Sequence, residues 1–228
     1  MFGYPFGLLL LIVISILVFF GVLHRVLDRM RLKDSTALLV IAAIIIGSFI
    51  TIPVTGGNQS LQINIGGAVI PLIIVIYLWI KAGTVKEKTR AILSALATAI
   101  GLQISAFFIG NEPGTLVDPL YVFPIVAGVI AYLAGRSRRS AFIAAVLGVV
   151  IYDAAHYVWL VTNGVRGTTN IGGGGSFDSI VIASVIAVAL AELIGETRER
   201  LQGGPESEGR DPKLLNGLKM PGGDDDNA

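Results

Sequence analysis

The chain has 228 residues, of which 54% are hydrophobic and only 14% charged, with a mean hydropathy of +0.76 and a formal net charge of +1. A soluble domain is about 25% charged, so water is not the main solvent expected for this chain. Cysteine is absent and histidine occurs only at His24 and His156, which excludes disulfides, thiolate metal sites and a histidine-rich metal or haem centre.

Continuous apolar runs recur along most of the chain, without the alternation of about ten residues that barrel strands would show. The fold class expected is therefore all-α, an integral membrane helical bundle of about seven transmembrane helices. The first run, residues 4–23, has no Lys or Arg before it and is too long for a signal peptide, so it reads as a retained span. The basic stretch HRVLDRMRLKDS follows, and residues 36–54 form the second span behind Asp34 and Ser35 as helix starters. A polar uncharged loop, TGGNQSLQ, leads to the third span, 63–80, whose outer half is weakened by Gly66, Gly67 and Pro71. Close helix packing through small residues is the plainer reading of those glycines. Spans four to seven are expected at 91–109, 120–134, 141–161 and 178–194. The fourth holds the polar Gln103 and the fifth contains Pro124. Residues 197–228, which end in DDDNA, read as a mostly disordered tail.

The cations gather in alternate connections: after span one, in KAGTVKEKTR and in GRSRR, whereas the intervening loops hold only Arg166. Lys and Arg bias marks the cytoplasmic side, which places the amino terminus outside, the carboxyl terminus inside, and the protein in the cell membrane as a multi-pass chain. Glu112, Asp118, Asp178 and the run Gly172–Gly175 then fall on the outer face. Two similar segments also raise the expectation of an internal duplication, with chance alignment of apolar sequence as the alternative. AILSALATAIGLQIS follows a basic turn after Pro71, AFIAAVLGVVIYDAA follows one after Pro124, and Gln103 and Asp153 occupy the same place in the two copies. Such a parallel repeat is one of the arrangements found in transporters.

Chemistry is sought where a carboxylate enters an apolar span, because an ionisable group there costs about 2.5–3.5 kcal/mol on insertion scales. Asp153 is that residue, twelve positions after Ala141 and so about 18 Å into its helix. His156 and Tyr157 are spaced to share its helix face, and Tyr152 and His156 are likewise four apart. The structural alternative is an aspartate that only fixes packing through a histidine or a neighbouring glutamine. The functional reading pairs Asp153 with Asp178, since two close carboxylates cannot both ionise cheaply, and one can act as base while the other acts as acid. Glu192 reads most simply as one half of an ion pair with Arg136 or Arg198.

Tyr152-Asp153 in one span and the glycine-led Asp178 at the start of the next resemble the Tyr-Asp and Gly-x-Gly-Asp motifs of intramembrane aspartyl proteases of the presenilin and signal-peptide-peptidase type. That resemblance implies a catalytic pair of Asp153 and Asp178, supported by Tyr152, His156, Gln103 and Gly175, acting on a membrane-spanning peptide. Phe177 stands where the motif has its second glycine, and no Pro-Ala-Leu motif follows. Over nearly the whole chain, INIGGAVIPLIIVIYL, YLAGRSRRSAFIAAVLGVVIYD and IGGGGSFDSIVIASVIAVALAELI resemble the prokaryotic multi-pass membrane family catalogued as domain of unknown function 1614. This second resemblance implies a membrane domain of seven-helix type and no particular activity.

The competing reading is a proton- or cation-coupled carrier of a small solute, built on Asp153, Gln103 and the Gly66-Gly67-Pro71 break. A non-enzymatic membrane scaffold is the third. A Ser176 nucleophile with His156 as base, and a divalent cation held by Asp153, His156 and Asp178, are weaker alternatives. The partners expected are the lipid bilayer and either a peptide or a small ion or solute. No cofactor, resident metal or nucleic acid is expected.

Overall fold

In the computed structural model, residues 20–22, 24, 27, 34–82, 84–109 and 119–201 are described. Met1–Glu192 form one compact unit and Leu193–Ala228 a second, of which residues 193–201 are described and helical. The protein is mostly helical. In chain order its elements are α1 (Asp34–Gly47), β1 (Thr51–Thr55), β2 (Gln59–Asn64), a π-helical turn (Ile65–Val69), α2 (Ile70–Lys81), α3 (Val85–Ile109), α4 (Pro119–Gly135), α5 (Arg138–Thr162), β3 (Gly167–Ile171), a 3-10 turn (Gly175–Phe177) and α6 (Ser179–Leu201). Most of the first span, the acidic loop carrying Glu112 and Asp118, and residues 202–228 of the tail lie outside the described residues.

The all-α expectation needs one correction: a three-stranded sheet, ordered β1-β2-β3, ties the end of the expected second span and the loop after it to the glycine-rich connection. Strand β1 pairs antiparallel with β2, and β2 pairs parallel with β3. Helix α1 thus ends at Gly47, and the end of the expected second span is strand. TIPVT is apolar enough to extend a hydrophobic run, but its β-branched residues suit a pleated strand. In the same way Ser60-Leu61-Gln62-Ile63-Asn64 alternates polar and apolar residues with period two, so the third span begins as β2 rather than as helix. The 3-10 turn and β3 likewise give regular structure to the glycine-rich connection.

Two helices, over Val85–Phe108 and Arg138–Thr162, are long and apolar enough to cross a membrane. They are α3 and α5, and they pack closely along their small residues. A Cβ added to Gly148 would lie 2.6 Å from the Thr98 side chain and 3.1 Å from the Ala95 carbonyl, and Ala91, Ala95, Ala99, Ala141, Ala144 and Ala145 are buried. Small residues of this kind let helix backbones approach where burial from water supplies little drive. Helix α4 packs on both, and α2 packs on α5. Thr98 and Ser94 bond to carbonyls of their own helix, so they bring hydroxyls into the interface without leaving them unpaired.

At the other end the chain is held by a junction of glycines. The π-helical turn is wedged between the end of α1 and the 172–177 segment. A Cβ on Gly66 would come within 2.2 Å of the Ile44 carbonyl oxygen, and one on Gly67 within 2.2 Å of the Gly172 carbonyl oxygen. Asn64, 1% exposed, locks the same place. Its Nδ2 donates to the Ser48 carbonyl at 2.8 Å and to Thr51 Oγ1 at 3.0 Å, and its Oδ1 accepts from Gly67 N–H at 2.9 Å. Asn64→Ala leaves buried backbone groups unpaired, at about 1–3 kcal/mol for each. A loss of about 3 kcal/mol is expected, read as a lowered unfolding temperature in detergent.

Candidate functional site

Helices α3 and α5 run in parallel. Gly148 sits against Thr98, and further along both helices one groove joins Gln103, Ala106 and Phe107 to Tyr152, Ala155, His156 and Trp159. The Thr98 to Gly148 offset of fifty residues is the one at which the two repeat copies align in sequence. Gln103 and Asp153 each lie five residues further, about 7.5 Å along, and so at the same level. The two hairpins differ in their leading elements: a strand, a π-helical turn and a 12-residue helix in the first, a 17-residue helix in the second.

Asp178 lies just ahead of α6 and caps it. Its Oδ1 accepts from Ile180 N–H at 2.8 Å and its Oδ2 from Gly174 N–H at 3.0 Å, so one carboxylate closes the glycine turn and starts the helix. Burial raises its carboxyl above the ordinary carboxylate range, and the two N–H donors pull it partly back. Gly175 has φ +60°, and a Cβ there would meet Ser48 Cβ at 2.6 Å, so the residue fits the turn for both conformational and steric reasons.

Asp153 lies within electrostatic range of Asp178. No hydrogen bond reaches its carboxylate among the described residues. At the other end of α5, Arg138 forms an ion pair with Glu192. Glu192 is therefore half of an ion pair as expected, and Arg138 is a partner that the spacing had not named; the Arg198 side chain lies outside the described residues. In this cysteine-free chain, the double replacement Asp153→Cys and Asp178→Cys is expected to crosslink through reagents spanning about 10 Å, a reach beyond the roughly 7 Å Cα limit of a direct disulfide. Absence of any linking in membranes would contradict the pairing.

The face expected to unite Asp153, His156 and Tyr157 is split. The Tyr157 hydroxyl shares a 2.9 Å hydrogen bond with Thr55 Oγ1, which also accepts from Leu61 N–H, so Tyr157 turns to the sheet. His156 is exposed, stacks on Trp159 with ring centroids 6.1 Å apart, and lines the groove of about 430 Å³ with Gln103 and Tyr152. Tyr152 packs edge-on against Phe123 at 5.5 Å. Ser176 is buried in the 3-10 turn while His156 faces the groove, which gives no support to a serine–histidine pair. Among the described residues no group of three His, Cys, Asp or Glu side chains is placed to hold a metal.

A family model described as "Protein of unknown function (DUF1614)" matches residues 18–190. The chain belongs to that family. The matched region contains the sheet, the glycine junction and every candidate residue of this DUF1614 protein from Asn64 to Asp178. No curated protein and no solved structure matches it. Sequence reasoning missed Asn64, Thr55 and Thr169. The period-two alternation through Ser60–Asn64 was the available signal for the first, and no local signal marks the other two.

Proposed function

We propose that this DUF1614 protein is a multi-pass membrane carrier that couples movement of a small solute to a proton or small cation at Asp153. The membrane reading is supported by the two membrane-length helices, each less than half buried, and by outward-facing apolar residues such as Leu93, Ile100, Phe107 and Val158. It is supported also by the cations: Lys81, Lys86, Arg90, Arg136, Arg138 and Arg139 cluster at helix ends opposite the sheet, and Arg139 donates to the Lys81 carbonyl there. By the cation bias this is the cytoplasmic end, with the sheet and Asp178 outside.

One observation carries the coupling role. A carboxylate well inside a membrane-length helix has no hydrogen-bond partner among the described residues, and it lies within electrostatic range of a second carboxylate whose two oxygens are held by backbone N–H groups. Asp178 is then the positionally fixed partner, each oxygen tied to a backbone N–H, and Asp153 is the group free to exchange a proton or bind a cation. Irregular backbone at the glycine junction and the parallel register of α3 and α5 are features shared with carriers. The test is flux into proteoliposomes driven by a pH or sodium gradient, with protein-free vesicles as the baseline.

The closeness of the two aspartates also favours a paired-acid hydrolase cleaving membrane-spanning peptides. That reading requires both carboxylates to act on a water and a carbonyl, and both oxygens of Asp178 are already engaged by backbone N–H groups. Cleavage of a single-span peptide that is lost with either Asp153→Asn or Asp178→Asn would select it.

A further inference from the structure

Thr169 is 6% exposed, and its Oγ1 has no hydrogen-bond partner among the described residues. A buried unpaired hydroxyl costs about 1–3 kcal/mol, so its location bears on function. Along β3 the buried residues Thr169 and Ile171 alternate with the exposed Thr168 and Asn170. Thr168 Oγ1 bonds Ser60 Oγ on the outer face at 2.6 Å, and Thr169 pairs in register with Leu61, which packs on the core. The Thr169 side chain therefore points inward, toward α5, on which β3 packs.

Its level on α5 follows from the turn that precedes it. Val165 N–H bonds the Leu160 carbonyl, and a Cβ on Gly167 would touch the Leu160 side chain at 3.1 Å, so β3 begins beside Leu160. From there the chain runs back along α5 to Asp178. Two strand residues advance about 6.6 Å, the rise of roughly four helical residues. Along the helix axis Thr169 is thus level with residues 156–157, about one turn from Asp153. The Tyr157–Thr55 hydroxyl pair lies on the same side of α5.

We propose that Thr169 is a second oxygen ligand of the Asp153 site, with a hydrated proton or a sodium-sized cation held between its hydroxyl and the Asp153 carboxylate. A hydroxyl and a carboxylate are hard oxygen donors suited to either ligand, and the hydroxyl can also donate to a water that carries the proton. The Tyr157–Thr55 pair forms the outer rim. This inference rests on Asp153 as the exchanging group, and Thr169 is a ligand that the repeat does not supply, because β3 lies outside both copies.

Two measurements test it. The chain is cysteine-free, so Thr169→Cys introduces a single small thiol. Its modification by a membrane-impermeant thiosulfonate, added outside intact vesicles, is expected to be much faster than that of Ala144→Cys, which lies at a fully buried position, and slower than that of the exposed Thr168→Cys. A rate equal to that of Ala144→Cys overturns the proposal. In proteoliposomes, Thr169→Val is expected to raise the half-saturating concentration of the coupling ion about tenfold, the scale of one lost hydrogen bond, and Thr169→Ser to restore it. A sodium gradient and a pH gradient, applied separately, identify which ion is bound. Flux that depends on Asp153 but is indifferent to Thr169→Val overturns the Thr169 ligand and leaves the carrier standing. Absence of flux in the unaltered protein overturns the carrier, while thiol labelling still decides whether Thr169 lines a wet site.

Discussion

Asp153→Asn is expected to bring flux in proteoliposomes down to the protein-free baseline, a fall of about 10²-fold or more, the scale on which a positioned proton-transferring group acts. Asparagine keeps the shape and loses both the charge and the exchangeable acid. Since it also removes the repulsion between residue 153 and Asp178, the unfolding temperature in detergent should hold or rise. The combination is diagnostic. A scaffold would show a changed unfolding temperature with no flux to lose, and a paired-acid hydrolase would lose peptide cleavage instead. Unchanged flux in Asp153→Asn contradicts a coupling role for this residue. Asp178→Asn is a different experiment, because it disturbs the cap of α6 and the Gly174 turn as well as the charge.

The second large effect lies at the glycine junction. Gly67→Ala places a methyl group 2.2 Å from the Gly172 carbonyl oxygen and 2.8 Å from that of Gly175. Both neighbours are backbone and cannot rotate away, so the π-helical turn and the 172–177 segment must separate. Overpacking costs about 1–3 kcal/mol where side chains can yield, and a cost of about 3 kcal/mol or more is expected here, with loss of folded protein on extraction. Gly56→Ala in the hairpin loop has nothing within 4 Å, and should stay within about 0.5 kcal/mol of the parent. If both variants were equally stable, the close approach at the junction would be refuted. Because Asp178 is positioned by the Gly174 turn, a milder lesion in this junction should also disturb the aspartate pair.

The apolar helices and the isolation of Asp153 were legible without coordinates. Composition and continuous apolar runs report on solvent preference, and one acid in such a run is conspicuous. The fifty-residue spacing between the two similar segments could be read too, and the Thr98–Gly148 contact falls at the same spacing. The sheet was not. Ile52 and Val54 let Thr51–Thr55 read as the end of the preceding apolar run, and a mixed sheet that joins β2 to β3 across more than a hundred residues leaves no local trace. His156 and Tyr157 show the same limit: spacing placed them on one face, but the hydroxyl of Thr55 draws one to the sheet and Trp159 draws the other to the groove.

What the sequence determined by itself was therefore whatever depends on a residue's own chemistry and its near neighbours: apolar helices, the segregation of cations and the candidacy of Asp153 and Asp178. Tertiary structure decided what depends on distant segments meeting. It set the capping of Asp178 by its two N–H donors, the pairing of Arg138 with Glu192, the locking of the glycine junction by Asn64 and the inward placement of Thr169. The reason is physical. Burial preference and helix periodicity are summed over adjacent residues, whereas a hydrogen bond or a close backbone contact depends on atoms brought together only when the chain closes on itself.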